Sequence, residues 1–198
     1  DTWLAIELIK RLDLFNFLRQ NISTTRERIS WTDMAIILVI SRFCNPSSEL
    51  YIAEHFYEHS SLPHLLGIPS DAIYDNRLYR ALDKLLPHKA KLEKHLKERL
   101  GELFDIHYDL LLYDITSTYF EGQALQNPQA QRGYSRDQRP DCKQVLIALV
   151  VTREGLPLGY EIFSGNRHDS TTVQQIVNKI EGQYGAADRI WVMDRGMT

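Results

Sequence analysis

The run Leu110-Leu111-Leu112-Tyr113-Asp114-Ile115 decides the fold of this chain. A short, almost continuous apolar stretch bounded by polar residues reads as a strand covered on both faces. An ionised Asp within such a strand is costly unless it is paired or metal-bound. The pattern recurs in Ile190-Trp191-Val192-Met193-Asp194, followed by Arg195-Gly196, which puts a second carboxylate at the carboxyl end of a buried strand. That is where open α/β sheets place their ligands. Either Asp alone reads equally well as a cap or a structural salt bridge. Together, two carboxylates from adjacent strands can hold a hard cation such as Mg²⁺, which takes oxygen ligands and keeps several waters. Two such ions ~4 Å apart can clamp the attacking and leaving oxygens of a phosphoryl displacement.

Between these two runs the sequence supplies the rest of a sheet. Tyr108 to Phe120, Gln144 to Val151 and Leu158 to Phe163 are strand candidates. The last two form a hairpin through Thr152-Arg153-Glu154-Gly155, whose Gly and polar residues suit a turn. Asp169-Ser170-Thr171-Thr172 opens a helix with Asp169 as N-cap, and Val173, Ile176, Val177 and Ile180 follow at helical spacing. A short strand, Arg189 to Asp194, comes after Gly182 and Gly185. The order of strand, hairpin, helix and strand predicts an α/β layer with a crossover helix.

Before residue 105 the period is helical. Leu4, Leu8, Leu12 and Phe15 predict one helix from about Thr2 to Leu18. Ser30-Trp31-Thr32-Asp33 is a near capping box leading into Met34 to Phe43, which Asn45-Pro46 stops. A third helix is expected from Ser48. Pro69 and Pro87 bracket a segment with Tyr74, Leu78, Leu82 and Leu85 on one face, and Leu92, Leu96, Leu100 and Leu103 mark the helix after it. The expected division is a helical domain at 1–104 and a sheet domain at 105–198.

The 198 residues carry 23 Lys+Arg against 26 Asp+Glu, a net charge of −3 that argues against an overall basic nucleic-acid coat. Residues 77–99 nevertheless hold eight basic residues against three acidic. Lys91, Lys94 and Lys97 belong to this stripe, which is either a solvated helix face or a phosphate-contacting one. The longest apolar run, Met34 to Ile40, is too short to span a membrane. Cys44 and Cys142 form no disulfide framework or paired zinc motif, which fits a reducing compartment. No signal peptide is visible at the N-terminus.

The segments Tyr113 to Gly122, Arg132 to Gln144, Arg153 to Glu161, Gly165 to Ser170 and Met193 to Met197 resemble the catalytic core of IS4-type insertion-sequence transposases, most closely the IS1634-like group. The resemblance covers roughly residues 105 to 198. It implies an RNase H-like mixed-sheet catalytic core with a DDE active site, cutting double-stranded DNA at transposon ends and joining it to a target through two Mg²⁺ ions, with Mn²⁺ as a substitute. Asp114 matches the first acidic residue and Asp194 the second. The family's third acidic residue, a Glu on a later helix, and its Tyr-Arg-Glu-Lys signature have no counterpart before Thr198. The expectation is therefore a transposase fragment, inactive as given, preceded by a helical domain for DNA binding or dimerisation. A homodimer when complete, a cytoplasmic, nucleoid-associated location and no membrane partner are further implications. The alternatives are an RNase H-like nuclease without joining activity and a non-catalytic DNA-binding remnant.

The polar segment Gln123 to Cys142 exceeds the length of an ordinary loop. Arg132, Arg136 and Arg139, with Lys143 beside them, can grip phosphate oxygens, and the Tyr134 ring can stack on an unpaired base. A solvated loop is the alternative. Arg195 suits either a scissile phosphate or charge balance for the carboxylates. His55-Phe56-Tyr57-Glu58-His59 fits the pattern of inverted zincins, but a solvated helix face explains it more simply.

Overall fold

The computed structural model describes residues 1–22, 29–106, 108–135, 137–185 and 188–194. The chain divides into two compact units, Asp1–Leu100 and Gly101–Thr198. The division falls inside the last helix of the helical region, a few residues before position 105, where the sequence period changes.

The first unit is helical: α1 (Thr2–Arg11), α2 (Leu14–Asn21), α3 (Trp31–Cys44), α4 (Glu49–Tyr51), α5 (Leu62–Leu66), α6 (Asp75–Leu85) and α7 (Lys89–Phe104). The single opening helix expected from the leucine spacing is two helices. Asp13, with φ 53°, takes the left-handed conformation that Asp tolerates better than most residues. The broken end is held from α7, where a ring nitrogen of His95 lies 2.8 Å from the Leu12 carbonyl and Arg99 donates to the Arg11 carbonyl at 3.0 Å. Basic groups at a helix C-terminus satisfy orphan carbonyls and the dipole together.

The near capping box at Ser30 works differently from the standard pattern. Ser30 Oγ accepts the Asp33 backbone N–H at 3.1 Å and donates to the Asp33 carboxylate at 2.6 Å. From there α3 runs through the centre of the unit, with Met34, Ile36, Ile37 and Ile40 fully buried. The helix expected from Ser48 changes at once into a π-helical turn, Ile52–Phe56. Beyond it the Tyr57 hydroxyl donates to the Ile68 carbonyl, and burial pushes its pKa up to about 12. On α6 the core face is Leu78, Ala81 and Leu85, whereas Leu82 and Tyr74 are exposed. The leucine pattern thus named the right helix and a partly wrong face.

The second unit holds β1 (Leu110–Phe120), β2 (Lys143–Thr152), β3 (Pro157–Ser164), α8 (Val173–Tyr184) and β4 (Ile190–Met193). The order is β3-β2-β1-β4, antiparallel through β1, β2 and β3, with β4 parallel to β1. This mixed sheet with flanking helix has the order of an RNase H-like core. The β2–β3 turn closes where Gly155 takes φ 83°, and its N–H donates to the Thr152 carbonyl. A 3₁₀ turn, Asp169–Thr171, precedes α8, so Asp169 is not the N-cap that the sequence predicted.

The β1 stretch is not covered on both faces, contrary to the sequence reading. Leu111, Tyr113 and Ile115 face Ile176 and Ile180 of α8, together with Leu146, Ala148 and Val150 of β2. Asp114, Thr116 and Thr118 alternate with them on an exposed face. The apolar run misled because that outer face also carries apolar residues, including Leu149, Ile162, Ile190 and Val192. A one-sided core makes a graded prediction. Ile176→Ala should lower unfolding free energy by about 3 kcal/mol, and Ile162→Ala, more than a third exposed, by under about 1 kcal/mol. Urea unfolding of the two variants checks this, and equal losses would contradict it.

Candidate functional site

The pairing of β1 with β4 determines where the two carboxylates meet. The parallel register sets Leu112 beside Val192 and Tyr113 beside Met193, so the next step brings Asp114 beside Asp194. Aligned residues on parallel strands share a face, and neighbouring strands lie ~4.8 Å apart. Both Asp residues are exposed. They border a cleft of about 310 Å³ whose other walls include Leu112, Leu149, Val151 and Val192. Asp114 Oδ1 accepts the backbone N–H of Ile115 at 2.8 Å, which orients the carboxylate.

Behind Asp114 the strand is tied down. The Tyr113 hydroxyl hydrogen-bonds Thr172 Oγ1 at 2.7 Å just before α8, and burial raises the Tyr113 pKa, keeping that hydroxyl a donor or acceptor rather than an anion. On the far strand Lys179 of α8 pairs with Glu161 at 2.6 Å and donates to the Tyr160 carbonyl.

The donor set fits a hard divalent cation. Asp114, within β1, and Asp194, just past the end of β4, border one cleft, and an octahedral ion bound through one or two carboxylates leaves its remaining positions to water and phosphate oxygens. No group of three or more metal-ligating side chains exists among the described residues. The zincin-like histidines do not form one either: a ring nitrogen of His59 lies 2.8 Å from the His55 backbone carbonyl.

The other sequence-predicted residues divide. Arg132, Arg139 and Lys143 line a second cleft of about 220 Å³ with Phe120, Glu121 and Asp141. Arg139 is engaged within it, bidentate to Asp141 at 3.1 and 3.0 Å and bonded to Glu121 at 3.3 Å, with its guanidinium 5.0 Å from the Tyr119 ring centre. Tyr134 is 86% exposed. Lys91, Lys94 and Lys97 lie on α7 in the first unit, with Lys94 3.9 Å from Glu98. Arg136 and Arg195 lie outside the described residues. Thr116 and Thr118, which share the outer face of β1 with Asp114, escaped the sequence reading. The alternation Asp114-Ile115-Thr116-Ser117-Thr118 was the available signal.

The Arg139 pair carries a measurable consequence. Its hydrogen bonds hold the Asp141 carboxyl down at about 2, so the ionised pair persists through the ordinary carboxylate range and is lost only as pH falls through about 2. Arg139→Gln should return Asp141 to an ordinary value of about 3.9, read by carboxyl NMR titration. An unchanged titration would contradict the pairing.

Long polar segments usually stay loose, but this one is stapled to the sheet. Gln131 and Gln144 exchange backbone hydrogen bonds at 2.9 and 3.1 Å, and the Gly165 N–H donates to the Gln129 carbonyl at 3.1 Å. The buried Gln144 amide donates to the carbonyls of Tyr134 and Gly165, each at 2.9 Å.

Residues 106–198, a little under half of the chain, match the family model described as "Transposase DDE domain". No curated protein matches the chain. Among solved structures the chain is similar to the Mos1 transposase paired-end complex with left transposon end, at 12% identity and a TM-score of 0.29. That match covers 88% of this chain and 57% of the Mos1 chain, so the present chain spans a little over half of that protein's length.

Proposed function

We propose that this chain is a DNA transposase whose second unit performs metal-dependent phosphoryl transfer at Asp114 and Asp194. The observation that carries the reading is the register of β1 and β4, which sets the two carboxylates at one level on adjacent parallel strands. The family match over residues 106–198 supports it independently. Asp114 and Asp194 would each give carboxylate oxygens to the cation, and the Ile115 N–H holds Asp114 in place for this. The bound ion would polarise a phosphodiester and activate the attacking oxygen. Two Mg²⁺ ions, replaceable by Mn²⁺, an IS4-type (IS1634-like) relationship, a homodimer and a cytoplasmic, nucleoid-associated setting complete the proposal. The helical first unit would bind DNA or pair subunits, with Lys91, Lys94 and Lys97 as phosphate contacts.

The test is incubation of a chain that also carries the family's third acidic residue with Mg²⁺ or Mn²⁺ and duplex DNA bearing the terminal repeats of the element that encodes it. Cleavage at the ends followed by joining to a second duplex is the expected result. Cleavage without joining would make the protein a nuclease, and binding without cleavage would make it a DNA-binding remnant.

A further inference from the structure

The outer face of β1 does more than present Asp114. Asp114, Thr116 and Thr118 follow one another on it, all exposed, and the row ends at Phe120, whose partner in β2 is Lys143. Directly opposed residues of an antiparallel pair share a face, so Lys143 belongs to the same row. Successive members stand two residues apart, about 6.7 Å at the usual strand rise. That is close to the separation of neighbouring phosphates along one nucleic-acid strand.

The chemistry of the row suits a phosphate backbone. The Thr116 and Thr118 hydroxyls make no side-chain hydrogen bond among the described residues, and each can donate to a phosphate oxygen. At the far end lies the cleft of about 220 Å³ lined by Lys143, Arg132 and Arg139. Arg139 is neutralised by Glu121 and Asp141 and so forms a wall. Arg132 and Lys143 make no ion pair among the described residues, which leaves their charge for a ligand. Six residues separate Asp114 from Phe120, about 20 Å along the strand, which sets this cleft a few nucleotides from the carboxylates. The floor is firm, because the Gln144 amide fastens the loop that carries Arg132.

We propose that Thr116, Thr118, Lys143 and Arg132 form a track for the backbone of one DNA strand, running from the carboxylates to a terminal phosphate pocket. This rests on the proposed transposase reading and adds to it the direction in which the bound strand leaves the reacting phosphate.

The experiment is a titration of fluorescein-labelled duplex with the 198-residue chain, at salt from about 50 to 200 mM, where log K falls by about 0.9 per phosphate contact neutralised. R132Q/K143Q should flatten the slope by about 2. T116V/T118V should leave the slope unchanged and weaken binding about tenfold at fixed salt, the cost of losing hydrogen bonds to charged oxygens. Arg153→Gln, in the β2–β3 turn, should change neither. Thermal unfolding of each variant confirms that the fold is kept. Salt-dependent binding by the wild type with an unaltered slope in R132Q/K143Q would overturn the track. Absence of DNA binding by the wild type at any salt would overturn the transposase reading itself.

Discussion

In a chain that also carries the family's third acidic residue, Asp114→Asn and Asp194→Asn are each expected to lower Mn²⁺-dependent cleavage of transposon-end DNA by on the order of 10³-fold, equivalent to several kcal/mol of lost charge stabilisation in the transition state. DNA binding should be largely spared, because neither carboxylate attracts a phosphate. The register of β1 and β4 gives the two positions equal standing, so the two variants should lose similar amounts. Thr152, opposite Leu111, is buried on the inner face of the sheet, away from the carboxylates, and makes a useful contrast. Thr152→Val should cleave normally. Full cleavage by either Asn variant would remove that Asp from the site.

The second large effect lies in the seam that holds the long loop. A Cβ on Gly165 would stand 2.0 Å from the Gln144 carbonyl oxygen and 2.6 Å from that of Gln131. Both obstacles are backbone, and both belong to the pair that fastens the loop, so neither can yield without breaking it. Gly165→Ala should therefore cost about 3 kcal/mol or more, at or above the upper end of ordinary overpacking. Gly122→Ala, with nothing within 4 Å, should be close to neutral. Chemical denaturation measures the difference, and hydrogen exchange should show the backbone amides of Gln131 and Gln144 losing protection only in the Gly165 variant. A Gly165→Ala protein as stable as the wild type would mean that the seam is not closed as described.

Much of the second unit was legible in its sequence. Strand positions followed from the apolar runs, and both carboxylates stood out because each interrupts or ends such a run. The faces were harder. Three consecutive leucines at 110–112 suggest a doubly covered strand, yet alternation with exposed Asp114, Thr116 and Thr118 decides otherwise, and that alternation begins only after the leucines. The break between α1 and α2 has no Gly or Pro to announce it. It depends on Asp13 adopting a left-handed conformation and on His95 and Arg99, more than eighty positions away.

The arginines of the loop illustrate the same limit. Arg132 and Arg139 look alike in sequence, but Glu121, eighteen positions before Arg139, takes part of that guanidinium's hydrogen bonding. Only folding brings them together. The staple through Gln144 joins residues 134, 144 and 165, a spacing that matches no local motif. The lysines of α7 read as one charged stripe, although neighbours such as His95 and Arg99 cap helix α1 instead of facing a ligand.

The central claim is that Asp114 and Asp194 jointly hold a divalent cation. Paramagnetic broadening of backbone amide resonances during Mn²⁺ titration of the 198-residue chain tests it most directly. The account predicts selective broadening around residues 113–115 and 192–194, abolished in both Asp114→Asn and Asp194→Asn. Broadening that is diffuse over acidic surface residues, or that survives in either variant, would contradict it.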